Sequence, residues 1–136
     1  MAKGMSLHIG LNRVDPNHYQ GWDGQLKGCE QDAKDMAAIA RKQKFTTSII
    51  LNEQATAQAV KDAIAGAASQ LKSGDILLLT YSGHGGQVKD QTGDEPDGFD
   101  ETWVLYDRQL VDDAAAERGV QSGEFRADLD AVLLPA

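Results

Sequence analysis

Residues 75–86, DILLLTYSGHGG, constrain the fold more than any other stretch of the chain. A strand with one face in water alternates apolar and polar side chains. Ile76, Leu77, Leu78 and Leu79 do not alternate, so the strand they form is covered on both faces. Such strands belong to parallel sheets with helices packed above and below. The rest of the chain supplies the matching parts. Leu7, Ile9 and Leu11 alternate with His8 and Gly10 as a strand ending near Asn12. Residues 13–28, with Pro16 and several glycines, read as a long loop. Ala33, Met36, Ala37 and Ala40 recur at helical spacing from Cys29 to about Gln43. TTSIIL (46–51) is a β-branched strand. Residues 56–71 form a second helix with Thr56 as N-cap and Val60, Ile64, Ala67 and Leu71 facing inward. Strand, helix, strand, helix, strand implies right-handed crossovers and a doubly wound α/β sheet.

Beyond this repeat the pattern weakens. TWVLY (102–106) reads as a fourth strand, reached through an acidic loop over 87–101. Phe125, Leu129, Val132 and Leu133 stand at helical spacing and suggest a short terminal helix. With 136 residues, 41% apolar and 25% charged, the chain fits one ordered domain with a single core. A net charge of −8 argues against nucleic acid and anionic membrane surfaces as partners and suits cationic ones. No apolar run is long enough to span a membrane, and the first residues lack a signal-peptide core, so a cytoplasmic location is expected. Cys29 is the lone cysteine, which excludes an internal disulfide and a multi-cysteine zinc site.

In an open parallel sheet, ligands gather outside the carboxyl ends of the strands. His84 follows such an end, between glycines that let a substrate backbone approach and leave amide N–H groups unshielded. An imidazole there can exchange protons at neutral pH. Two readings stand at this point: a general base on the sheet rim, or a glycine-rich turn with an incidental histidine. GHGG has neither the spacing of a dinucleotide fingerprint nor the lysine of a phosphate loop. Cys29 also admits two readings. It is the one thiol nucleophile in the sequence, at a helix start where the dipole lowers a thiol pKa, or it is a small buried apolar residue.

LKGCEQDA (26–33), ILLLTYSGHGG (76–86) and DEPDGFDETWVLYD (94–107) together resemble caspase-like cysteine peptidases of the metacaspase and orthocaspase type, peptidase C14. The resemblance runs in order from residue 5 to about 113. It implies a caspase-like three-layer sandwich with a mainly parallel sheet, incomplete at the C-terminus, over 1–113, followed by an atypical tail over 114–136. It implies a cysteine endopeptidase of peptide or protein substrates, cutting after Arg or Lys. Position by position, His84 matches the base of the Cys–His dyad and Gly85 an oxyanion-hole amide. Cys29, Asp32 and Ser82 match residues that line the pocket for the side chain before the cut. A carboxylate there selects a cation by charge pairing; without the resemblance Asp32 is an exposed acid in the first turn of a helix.

The resemblance further implies calcium, held by acidic residues matching Asp94, Asp97, Asp112 and Asp113. Five of the eight residues in DEPDGFDE are carboxylates, the hard oxygen donors calcium prefers, without the spacing of an EF-hand loop; a solvated acidic loop is the other reading. The family nucleophile follows the histidine by about 50 residues, near position 134, where this sequence has no cysteine. The expectation is a chain that keeps the base, lacks the attacking sulfur and does not turn over alone. The alternative is a pseudoenzyme or regulatory module that holds basic peptides and calcium.

Overall fold

A computed structural model describes residues 2–89, 99–111 and 133–134. Its centre is a parallel sheet of β1 (Gly4–Gly10), β2 (Thr46–Leu51), β3 (Ile76–Ser82) and β7 (Leu133–Leu134), in the order β2-β1-β3-β7. β1 is central because it has a partner on each side. Ile9 lies opposite Ile50 of β2 and Tyr81 of β3. Helix α1 (Cys29–Lys42) links β1 to β2, and α2 (Ala57–Gln70) links β2 to β3.

The two faces of this sheet differ in chemistry. Alternation turns Leu7, Ile9, Leu77, Leu79 and Tyr81 toward α2, where they join Val60, Ile64, Trp103, Val104 and Leu105 in one apolar core. Ser6, His8, Gly10, Thr80 and Ser82 turn the other way, toward the buried Ala33, Ala37 and Ala40 of α1. Small residues on both sides bring this helix in close. A Cβ on Gly10 would sit 2.4 Å from the Cys29 carbonyl oxygen and 3.0 Å from the Ala33 Cβ. The buried hydroxyls are paired: Ser6 donates to Thr47 at 2.8 Å, and Thr80 meets His8 Nδ1 at 2.7 Å.

Capping shows local and distant signals at work. Thr56 accepts from the Ala59 N–H at 3.2 Å, as its sequence position predicts. The start of α1 has no cap from its own Gly28. Instead the Asn12 side chain, from the loop after β1, accepts from the N–H groups of Cys29 (2.8 Å) and Glu30 (3.2 Å).

The structure departs from the sequence expectations in its second half. TWVLY does not extend the parallel sheet. β5 (Phe99–Val104) lies between β4 (Gly85–Lys89) and β6 (Gln109–Val111) in a separate antiparallel sheet. The expected acidic loop is therefore partly strand, since β4 and β5 both reach into 87–101. An apolar run marks burial but not the partner it pairs with, and Trp103 is buried by stacking on Tyr81 with centroids 5.0 Å apart. Leu133, expected on a helix, lies in β7, which pairs with Tyr81 and Ser82. The edge of β3 is thus covered at its carboxyl end. Residues 90–98 and 112–132 lie outside the described residues, and with them Asp94, Asp97, Asp112, Asp113 and most of the expected terminal helix.

Candidate active site

Ser82 is the last residue of β3, so it and His84 stand at the carboxyl edge of the sheet, beside the N-terminus of α1. The Leu11 N–H donates to the Ser82 carbonyl at 3.0 Å, tying the ends of β1 and β3 together. Across this edge the Ser82 hydroxyl donates to Asp32 Oδ2 at 2.7 Å, and the buried Cys29 lies close to both at the start of the same helix as Asp32. Residues 29, 32 and 82 therefore form one cluster. Ser82 and Cys29 are buried, whereas Asp32 is exposed and presents its carboxylate to solvent.

The cluster settles the state of the thiol. Burial pushes Cys29 up from its ordinary range, and the nearby Asp32 charge adds to the shift; the Ser82 contact opposes it. The expected lowering by the helix dipole is outweighed, because desolvation of a thiolate beside a carboxylate costs more than a helix end returns. A thiol whose pKa is raised in this way lacks the thiolate character of an activated nucleophile.

His84 is partly buried and held by both its backbone and its ring. Its carbonyl accepts from the Tyr81 hydroxyl at 2.6 Å and from the Val104 N–H at 3.1 Å. Its Nε2 lies 3.0 Å from the Gly24 carbonyl oxygen. A carbonyl can only accept, so Nε2 carries the proton and Nδ1 of the neutral ring is left as the acceptor. The ring packs against the Trp22 indole, with centroids 4.8 Å apart and planes inclined by 55°. This is the arrangement a general base needs: a fixed tautomer with its lone pair directed away from the group that orients it.

Gly85 opens β4 opposite Trp103. The bond from the Val104 N–H to the His84 carbonyl brackets this pair, which makes it a pair without mutual hydrogen bonds. The Gly85 N–H therefore points away from β5, on the edge of the second sheet, unspent by the ladder. That suits an amide available to an oxyanion.

Sequence reasoning found Cys29, Asp32, Ser82 and His84 but passed over Asn12, Trp22 and Gly24. QGWDG does carry a signal: a large aromatic between glycines in a loop, with no periodicity to give it a place in the core. Trp22 is 45% exposed. His8 and His18, without evident partners in the sequence, acquire them in the fold: Thr80 for His8, and Asp15 at 3.8 Å for His18. Among the described residues no group of three or more His, Cys, Asp or Glu is arranged to hold a metal ion, and no helix is long and apolar enough to cross a membrane.

Comparison with known proteins agrees with this fold. The caspase domain family, Peptidase C14, matches residues 14–128. Metacaspase-1A of Neurospora crassa is 41% identical over 111 residues, 74% of this chain and 23% of that protein. Metacaspase-1 of Schizosaccharomyces pombe is 35% identical over 130 residues, 85% of this chain and 29% of that protein. The chain thus spans about a quarter of the length of these relatives. A Geobacter sulfurreducens protein of known crystal structure is 53% identical and superposes with a TM-score of 0.78, over 85% of this chain and 44% of that one.

Proposed function

The chain belongs to the caspase domain family of peptidases, and on that premise we propose that it carries the base and the cation-selecting pocket of a cysteine endopeptidase that cuts after Arg or Lys. The observation that supports this most is the Ser82–Asp32–Cys29 cluster at the sheet edge, two residues from the His84 turn. Ser82 occupies part of Oδ2 and orients the carboxylate, leaving Oδ1 for a guanidinium or ammonium group. In this reading His84 Nδ1 takes a thiol proton and returns it to the leaving amine, while the Gly85 amide receives the developing oxyanion. The attacking sulfur is not Cys29, whose thiol is spent on the pocket wall. In this reading the cluster binds basic peptides, and hydrolysis requires a sulfur other than that of Cys29.

Titration calorimetry tests this with a short Arg-containing peptide and its Glu-containing counterpart. The Arg peptide binds intact, and Asp32→Asn weakens it by about tenfold, the worth of one partly exposed charge-assisted bond. Equal binding of both peptides overturns the pocket assignment. Cleavage abolished by Cys29→Ala overturns the assignment of the thiol. Calcium belongs to the same proposal on the donor chemistry of Asp94, Asp97, Asp112 and Asp113, residues outside the described part. Calcium chloride titrated into the protein must release or absorb heat that Asp112→Ala with Asp113→Ala removes.

A further inference from the structure

We propose that Trp22 is a positioning residue for the His84 imidazole, acting through the face of the ring. This rests on the assignment of His84 as the base. The residues around His84 explain why a second support is needed. Gly83 and Gly85 flank it and offer no side-chain walls, and the ring is only partly buried. Among the described residues its ring makes one hydrogen bond, from Nε2 to the Gly24 carbonyl, which fixes a single point of it. Without a second support the ring can turn about its Cβ–Cγ bond, leave the Gly24 carbonyl, lose its fixed tautomer and swing Nδ1 away from the position in which a base meets a thiol. The indole of Trp22, 4.8 Å away and inclined by 55°, closes one side of that swing.

Trp22 is itself braced. Tyr19 meets it edge-on at 5.9 Å and 78°, and the Tyr19 hydroxyl donates to the Leu105 carbonyl at 2.6 Å. The Trp22 N–H donates to the Tyr19 carbonyl at 3.0 Å. Gly24 serves both contacts at once. Its φ of +58° turns the carbonyl toward His84, and a Cβ there would press to 3.1 Å on the indole. A half-exposed tryptophan contributes less to the core than a buried one; here it is placed by a loop whose carbonyl and aromatic face converge on one imidazole.

Long-range proton–nitrogen spectra of the labelled full chain, taken above about pH 8 where imidazoles are neutral, report the tautomer of each histidine. We expect His84 to show the Nε2–H form alone. Trp22→Ala should replace that pattern with averaged signals from both nitrogens, while the buried His8 keeps its own signals. Trp22→Phe, which restores an aromatic face, should restore the single form. An unchanged His84 pattern in Trp22→Ala overturns the proposal, and so does its loss in Trp22→Phe. Joint disturbance of His8 and His84 in both Trp22→Ala and Trp22→Leu makes Trp22 a folding residue and overturns it as well. No peptide is needed, so a chain that fails to bind Arg peptides while Trp22→Ala still frees the ring refutes the peptidase reading and leaves this one standing.

Discussion

The two faces of the parallel sheet divide the work of the molecule. Toward α2 the strands present leucine, isoleucine and tyrosine, and the space is filled by Val60, Ile64 and Trp103. Toward α1 their buried positions are serine, histidine, glycine and threonine against alanines, with Ile49, Leu51 and Leu78 half-buried on the same face. One face buries large apolar area and supplies most of the stability. The other gains little from area but lets a helix start close to the sheet, which is what brings Cys29 and Asp32 against Ser82. A site needs polar groups at short range, and a face packed with bulky apolar side chains would hold the helix too far off.

This division is exposed to test. Ile64 is fully buried on the α2 side, so Ile64→Ala should cost about 3–4 kcal/mol by the lost methyls and the cavity they leave. Ala37, equally buried on the α1 side, should cost only about 1–2 kcal/mol as Ala37→Gly, mostly helix propensity. Urea unfolding of the two variants measures the contrast, and equal losses would break it.

His8 gives the next largest effect. It is fully buried under α1, its Nε2 finds no partner among the described residues, and burial followed by the charge of Arg41 pushes it down to about 4. The unfolded chain binds a proton at this residue near pH 6.5, whereas the folded chain resists until about pH 4. Above pH 7 neither state binds it and the residue adds no pH dependence. Between pH 6.5 and pH 4 the unfolded state holds more protons, so stability falls as the pH falls. The loss from pH 7 to pH 4.5 should be about 2–3 kcal/mol. His8→Gln should remove that part of the slope; a slope identical to that of the parent chain would show that the polar face tolerates charge.

A last effect concerns the close approach itself. Gly10→Ala places a methyl against the Cys29 carbonyl, and the start of α1 must retreat at a cost of about 2 kcal/mol. Arg-peptide affinity should drop although no pocket residue has changed. Undiminished binding would mean that the site does not depend on the tight α1 face.

The strands and helices that alternate through residue 82 were legible because their signals are local. The run at 76–79, the helical spacing of the alanines and the Thr56 cap each involve neighbours a few residues apart. The residues proposed for the pocket were legible only through their resemblance to a known pattern. On chemistry alone Asp32 reads as a surface acid, and Cys29 reads first as a small buried apolar residue and only second as a reactive thiol; its burial favours the first. The second sheet was misread because TWVLY reports burial and says nothing of direction or partner.

What the sequence determined by itself is the order of elements, the covered strand and the turn that lifts His84 to the rim, since each follows from the preferences of adjacent residues. Tertiary structure alone decided the rest: Asn12 capping a helix 17 residues away, Ser82 reaching Asp32 across 50 residues, and Gly24 orienting His84 across 60. A hydrogen bond between such distant residues leaves no period in the chain. It exists only once the sheet has set its register and the loops have been drawn over its edge.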